Sequence, residues 1–304
     1  RSSHEYSSPI PPGKLRLACF GDSFTYCSEV EDQDAWPARL EEFDGSVEAI
    51  NFGVPGYGTD QALLRYRRKS SDIDLDVVVI GLQAGSIARI VTRCRNIEQP
   101  TSSRISVKPR FRVTEGELNL VTLPFKSADE LLACALAGEL PKTLHDDEYW
   151  SGDDPMLSFS TIARIYAARK AGYRRRPPYI WNRPQEEPYK ILIKILDLFR
   201  AEALANGAKE VLLLIFPEPG DFNRRQQEGV LYLNTFRKDL AAREFPVIDF
   251  DQRFHRLFKL DNSAMFMKHH FNPEANQLVA QEILEWIESR PELRAGKNPL
   301  VAPK

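Results

Sequence analysis

Short apolar runs alternate with amphipathic stretches along most of this chain. Five of the runs are almost wholly apolar, which is typical of parallel strands buried on both faces. They are Leu15–Phe20, Val47–Asn51, Asp76–Gly81, Glu210–Phe216 and Pro246–Phe250. Because such strands alternate with helical patterns, the sequence predicts an α/β fold built on a doubly wound five-stranded parallel sheet.

Helical patterns fill the spaces between these strands. Ala35–Phe43 and Thr59–Lys69 separate the first three strands, and Tyr189–Ala205 precedes the fourth. Pro273–Ser289 is the last amphipathic segment, with Asn272 as a predicted N-cap and Pro273 at the first helical position. In such sheets ligands bind where the carboxyl ends of the strands meet, so we expect the chemistry at that edge.

Residues 91–187 interrupt the alternation, and the segment is too long and too patterned for a loop. A β-hairpin is predicted in Arg104–Leu123 around a Thr-Glu-Gly-Glu turn, and helices are predicted in Ser127–Ala137 and Ser160–Ala171. We interpret this segment as a cap inserted over the active-site edge.

The remaining boundaries follow from composition. The main α/β domain is expected to span residues 14–289, including the cap. Residues 1–13 hold three prolines and are expected to form an extended arm. Residues 290–304 are expected to be a flexible tail.

Gly21-Asp22-Ser23 follows the first predicted strand directly, so a serine hydroxyl is placed where a helix should begin. At such a turn the Ser23 hydroxyl could attack a carbonyl, and its own backbone N–H could bind the developing oxyanion. Three residues alone also suit any polar turn. The later blocks of the sequence raise the weight of the catalytic interpretation.

Two further blocks accompany this triplet in a fixed order. Asn51-Phe52-Gly53-Val54-Pro55-Gly56-Tyr57-Gly58-Thr59 follows the second strand, and His270-Phe271-Asn272-Pro273 precedes the last helix. In order and spacing the three blocks resemble the SGNH, or GDSL, hydrolase superfamily of esterases and acyltransferases. The resemblance covers roughly residues 14–90 and 189–289. It implies the flavodoxin-like three-layer α/β/α form of the fold.

The resemblance also implies roles for individual residues. Ser23 would be the nucleophile and His270 its base, with the adjacent His269 as an alternative base. The N–H groups of Ser23 and Gly56 would bind the oxyanion, together with a side chain from a third block. That block normally reads Gly-x-Asn-Asp, and here Gly81-Leu82-Gln83-Ala84-Gly85-Ser86 stands in its place, so Gln83 or Ser86 would be the third donor.

The closing block is the second place where the sequence departs from the family pattern. The family's aspartate usually lies two or three residues before the histidine, where this chain has Lys268 and Met267. Without an acid to fix the imidazole tautomer, we expect slow turnover, which Met267→Asp or Lys268→Asp would raise. Alternatively, a backbone carbonyl orients His270, or an acid from elsewhere does so. The candidate acids are Asp251, Asp261 and Glu218.

The family resemblance favours an esterase or acyltransferase that acts on O-acyl groups, in particular O-acetyl groups of a carbohydrate. No metal or organic cofactor is implied. The alternative is a non-catalytic glycan-binding or assembly protein on the same fold. The departures in the third and closing blocks favour it, whereas the presence of Ser23, Gly56 and His270 opposes it.

Composition limits the partners and leaves the location open. The 304 residues carry a formal net charge of −2, which argues against an electrostatic nucleic-acid binder. No apolar run reaches the roughly 18 residues of a membrane span. The chain begins at Arg1 and not at Met, so a preceding signal or anchor remains an open alternative, with either a cytoplasmic or an exported location.

Overall fold

The computed structural model describes residues 5–70, 72–98, 105–144, 147, 160–220, 233–258 and 264–294. Within these residues the chain forms a five-stranded parallel sheet and a separate two-stranded antiparallel hairpin. The strands are β1 (Leu15–Phe20), β2 (Val47–Asn51), β3 (Val77–Gln83), β4 (Arg110–Thr114), β5 (Glu117–Val121), β6 (Glu210–Phe216) and β7 (Val247–Asp249). All five predicted parallel strands are confirmed, with ends that shift by at most two residues.

The strand order in the parallel sheet is β2-β1-β3-β6-β7. The chain begins in β1 and adds β2 on one side of it. It then crosses to the other side of β1 and adds β3, β6 and β7 in order, as in a flavodoxin-like doubly wound sheet. The direction reverses between β1 and β3, and ligand crevices open at such a switch point. Ser23 follows β1 and Gln83 ends β3, so both lie beside this crevice.

Helices cover both faces of the sheet. The α-helices are α1 (Ser23–Tyr26), α2 (Trp36–Phe43), α3 (Thr59–Lys69), α4 (Arg95–Glu98), α5 (Ala128–Leu136), α6 (Leu140–Thr143), α7 (Thr161–Arg174), α8 (Pro177–Trp181), α9 (Glu187–Ala205), α10 (Asn234–Ala242), α11 (Phe250–Phe258) and α12 (Pro273–Glu288). Helices α3, α9 and α10 pack on one face, whereas α2, α11 and α12 pack on the other. The three-layer α/β/α fold is thereby confirmed.

The strands of the parallel sheet are almost wholly apolar because the sheet lies between two separate cores. Along β1, Ala18 and Phe20 pack with α3 and α9, whereas Leu17 and Cys19 pack with α2 and α12. All four side chains are fully buried. Burial on both faces explains why these segments read as continuous apolar runs and not as alternating patterns.

The segment predicted to form a cap contains the expected elements. The β4–β5 hairpin turns at Thr114–Glu117, and α5 and α7 lie within one to three residues of their predicted bounds. No residue of α5 or α7 is buried. An isolated antiparallel bridge joins Cys94 to Val107 and places the start of the segment beside the sheet edge that carries Ser23.

The chain ends differ from a simple arm and tail. Within the predicted arm, the carbonyl of Ser8 accepts a hydrogen bond from Arg16 at 3.2 Å. Within the predicted tail, Leu293 is buried and Arg294 pairs with Asp44, so residues 291–294 pack against the domain. The rest of the predicted tail, residues 295–304, lies outside the described residues. None of the described helices combines the length and the hydropathy needed to cross a membrane.

Candidate active site

Ser23 is the first residue of α1, immediately after the turn that ends β1. The side chain of Asp22 caps this helix, because its Oδ1 accepts a hydrogen bond from the N–H of Phe24 at 2.9 Å. Ser23 is half-buried and lines a cavity of about 760 Å³ at the carboxyl edge of the sheet. Its N–H has no hydrogen-bond acceptor among the described residues.

Asp22 links the nucleophile turn to its surroundings through its carboxyl group. Burial raises the pKa of its carboxyl group, and the nearby Arg89 guanidinium and the N–H of Phe24 oppose that rise. Arg89 lies 3.2 Å from Oδ2 of Asp22 and donates to the carbonyl of Tyr57. The pair therefore ties the nucleophile turn to the loop that follows β2.

The loop after β2 packs directly on the nucleophile turn. Asn51 donates to the carbonyl of Thr25 at 2.9 Å, and Val54 donates to the carbonyl of Gly21 at 3.0 Å. A Cβ at Gly53 would lie only 2.4 Å from the backbone nitrogen of Tyr26. Such close backbone contact is available only to glycine, so the sequence of this loop fixes its distance from Ser23.

Gly56 lies farther along the same loop and lines the same cavity as Ser23. Its φ of 83° is in the left-handed region, which glycine adopts without strain. Its carbonyl accepts a hydrogen bond from Arg95 at 3.0 Å. Its N–H, like that of Ser23, has no acceptor among the described residues. Two residues whose N–H groups have no acceptor in the described part of the chain thus line one cavity.

Of the two side chains expected to complete the oxyanion site, the structure brings only Gln83 into the cavity. Its amide nitrogen donates to Glu218 at 2.8 Å, which holds the amide group in place. Ser86 is buried, is not among the cavity-lining residues, and donates its hydroxyl to the carbonyl of Gln83 at 2.7 Å. We therefore leave Ser86 out of the candidate site.

His270 lies on the loop that leads into α12, and it lines the cavity together with Ser23 and His269. The His270 ring packs beside Phe24, with ring centroids 5.1 Å apart. The loop ends where the Asn272 side chain caps α12 by accepting from the N–H of Ala275 at 2.8 Å, as the sequence predicts. The base candidate is thus held beside the residue that follows Ser23.

A carboxylate that sequence reasoning missed lies next to His270. Glu29, in the turn after α1, has its Oε1 3.4 Å from Nδ1 of His270. This contact is longer than a well-aligned hydrogen bond, and Nδ1 has no other partner among the described residues. The Oε2 of Glu29 accepts from the N–H groups of Lys268, His269 and His270, at 3.1, 2.9 and 3.2 Å.

The two candidate acids that the structure describes, Asp251 and Glu218, have partners other than His270. Asp251 pairs with Arg237 at 2.6 Å and does not line the cavity. Glu218 lines the cavity but accepts from Gln83. Asp261 lies outside the described residues. No sequence pattern marked Glu29, since it is 241 residues from His270 and its contacts depend on an irregular turn.

The pKa of Glu29 makes its contribution to stability testable. Burial raises that pKa, but the N–H groups of His269, Lys268 and His270 and the His270 side chain outweigh burial and lower it to about 2. A carboxyl group whose pKa is lower in the folded state stabilises the fold above its unfolded pKa, near 4.5, and loses that effect as pH falls toward 2. We therefore expect Glu29→Gln to lower the thermal midpoint at about pH 6 more than at about pH 2.5. Thermal unfolding at both values measures this, and an equal loss at both would contradict it.

The cavity lining also includes polar and cationic side chains from the segment after β3. They include Arg93, Arg95, Ser106 and Lys108, which flank the bridge between Cys94 and Val107. Lys108 pairs with the buried Asp60, and Arg93 donates to the carbonyl of Thr122. Among the described residues no group of three or more His, Cys, Asp or Glu side chains could hold a metal ion.

Comparison with known proteins gives similarity to solved structures only. No family model matches the chain, and no curated protein matches it. A psychrotrophic esterase from a Pseudoalteromonas species aligns over 92% of this chain and 100% of its own, at 12% identity and a TM-score of 0.45. An acetyl xylan esterase aligns over 90% and 100%, at 13% identity and a TM-score of 0.45.

A member of the lipolytic protein G-D-S-L family from Veillonella parvula aligns over 91% of this chain and 99% of its own, at 14% identity and a TM-score of 0.42. This is the family that the sequence motifs resemble.

Proposed function

We propose that this protein is a serine esterase or acyltransferase that cleaves O-acyl esters through an acyl-enzyme on Ser23. One observation carries the proposal: Ser23, Gly56, Gln83 and His270 come from four separate segments and line one cavity at the carboxyl edge of the sheet. A nucleophile, a base and several hydrogen-bond donors in one cavity are the components that acyl transfer requires.

In the proposed reaction, Ser23 Oγ attacks the ester carbonyl carbon while Nε2 of His270 takes the hydroxyl proton. The negative charge on the carbonyl oxygen is stabilised by the N–H groups of Ser23 and Gly56 and by the amide of Gln83. Collapse of the intermediate expels the alcohol, which takes the proton back from His270. The acyl-enzyme then passes its acyl group to water, or to a sugar hydroxyl in a transferase.

The acyl group and its carrier are inferred from the sequence resemblance and from the side chains that line the cavity. The sequence resemblance favours an O-acetyl group on a carbohydrate. The polar side chains of Gln61, Thr92 and Ser106 along the cavity suit a substrate rich in hydroxyl groups. A non-catalytic glycan-binding protein would present the same wall, so the decisive measurement is one of chemistry at Ser23.

The test combines turnover with covalent labelling. We expect the purified protein to hydrolyse an aryl acetate and to react once with a fluorophosphonate, with the added mass on the peptide that contains Ser23. Ser28 also lines the cavity and provides the matched control. Ser28→Ala should label as the parent does, and Ser23→Ala should not label. Absence of both turnover and label in the parent would favour the binding protein, and labelling of Ser23→Ala would refute Ser23 as nucleophile.

A further inference from the structure

The turn that carries His270 forms a small anion-binding nest. Met267 donates its N–H to the carbonyl of His270 at 2.8 Å, and Phe266 and Phe271 form a bridge at the base of the turn. The next three N–H groups along the chain all point to one oxygen of Glu29. Successive N–H groups arranged in this way bind anions, and here the bound anion is the chain's own carboxylate.

The two oxygens of Glu29 have different neighbours. Oε2 accepts the three N–H groups of the turn, whereas Oε1 faces Nδ1 of His270 at 3.4 Å. With its pKa lowered to about 2, the carboxylate is ionised at neutral pH. An ionised oxygen beside Nδ1 favours the tautomer that carries a proton there, which leaves the lone pair of Nε2 for the serine proton.

The backbone of Glu29 is strained in a way that fits this role. Its φ is 75°, and that of Cys27 is 60°, so two non-glycine residues in the same turn are left-handed. Glycine would adopt this conformation at lower cost. Such strain persists only where surrounding contacts hold it in place, and it is common at functional sites.

From these contacts we infer that Glu29 is the acid of a Ser–His–Glu triad and replaces the aspartate that is missing before His270. The inference rests on the proposed function and names a positioning residue for it. During attack the serine proton moves to Nε2, the proton on Nδ1 stays, and Glu29 remains ionised opposite the imidazolium. The Nδ1–Oε1 contact of 3.4 Å is longer than a well-aligned hydrogen bond, and catalytic hydrogen bonds commonly tighten in the complex with substrate.

A purely structural role for Glu29 makes a different prediction. Glutamine retains a side-chain oxygen that can accept the three N–H groups, but its amide N–H₂ would face Nδ1 and favour the opposite tautomer. If Glu29 only anchors the turn, Glu29→Gln should retain nearly the kcat of the parent, whereas Glu29→Ala should lose activity. If Glu29 sets the tautomer, the glutamine variant should also be impaired.

The experiment compares the parent, Glu29→Gln and the control Glu31→Gln, which removes an exposed carboxylate two residues away. We expect Glu29→Gln to lower kcat about 10²-fold with little change in KM, and the control to match the parent. This is less than the roughly 10⁴-fold loss for a buried triad aspartate, because the Glu29 side chain is 28% exposed. A glutamine variant within twofold of the parent would overturn the inference.

Nitrogen NMR of the His270 ring in the resting protein provides a readout that needs no turnover. We expect a proton on Nδ1 in the parent and in Glu31→Gln, and its loss in Glu29→Gln. An unchanged tautomer overturns the inference even if the protein is an active esterase. A changed tautomer in a protein without esterase activity supports the role of Glu29 and refutes the proposed function instead.

The same inference revises the expectation of slow turnover. Because Glu29 already faces Nδ1, Met267→Asp and Lys268→Asp should not raise the rate of the parent. A clear gain in either variant would mean that the acid position is still empty, and would count against Glu29.

Discussion

Ser23→Ala should lower kcat on an aryl acetate by about 10⁴-fold or more. The variant removes the hydroxyl that we propose forms the acyl-enzyme and leaves the proposed oxyanion donors in place, so a small residual rate above solution hydrolysis should remain. Stability should change little, because Ser23 is half-buried and its hydroxyl makes no hydrogen bond with the described residues. Initial rates and thermal unfolding measure the two effects.

Ser28→Ala is the control for this prediction, because it removes a second hydroxyl from the same cavity, in the turn that follows α1. It should retain kcat within a few fold. Equal rates for the parent and Ser23→Ala would assign any esterase activity to another group. Loss of folding in Ser23→Ala would require the label on Ser23 to decide the question.

Gly53→Ala should lower kcat by about 10²–10³-fold through displacement of an oxyanion donor. The added Cβ would lie 2.4 Å from the nitrogen of Tyr26 and 2.8 Å from the carbonyl carbon of Thr25. Both atoms belong to the backbone, so no side-chain rotation can relieve the overlap. The loop must retreat from the nucleophile turn and take Gly56 with it. Overpacking of this kind also costs about 1–3 kcal/mol of stability.

Gly45→Ala is the matched substitution, since a Cβ there meets nothing within 4 Å. It should leave both kcat and the unfolding midpoint unchanged. The fluorophosphonate labelling rate then separates two causes of a loss in Gly53→Ala. Slow labelling with an intact fold indicates a misplaced donor, whereas normal labelling and normal kcat would show that the loop does not set the oxyanion geometry.

The fold could be predicted because burial on both sheet faces leaves a direct trace in the sequence. Strand β1 has the predicted bounds, Leu15–Phe20, since every one of its side chains is buried. The sequence also identifies the candidates Ser23, Gly56 and His270, because each lies in a short motif at a strand or helix end. Their common cavity follows from the rule that carboxyl ends of parallel strands share an edge.

The rest of the site depends on features that no local pattern specifies. Ser86 was a reasonable donor three residues beyond β3, but the 3₁₀ helix Ala84–Ile90 turns its hydroxyl back to the carbonyl of Gln83. Glu29 reaches His270 only through a turn with two left-handed non-glycine residues. Sequence propensities do not predict such a conformation, because it is held by contacts with a loop more than two hundred residues away.

The short spacing between Ser23 and Glu29 has an evolutionary consequence. If both residues act in one site, selection should keep the length of the seven-residue segment 23–29 constant. An insertion or deletion within this segment would move the acid away from the nucleophile. Positions 267 and 268 are at the same time released from any requirement for an acid. Distant homologues would then be recognised by covariation: a glutamate six residues after the serine accompanies the loss of the acid before the closing histidine. A search restricted to the closing block would class such chains as inactive.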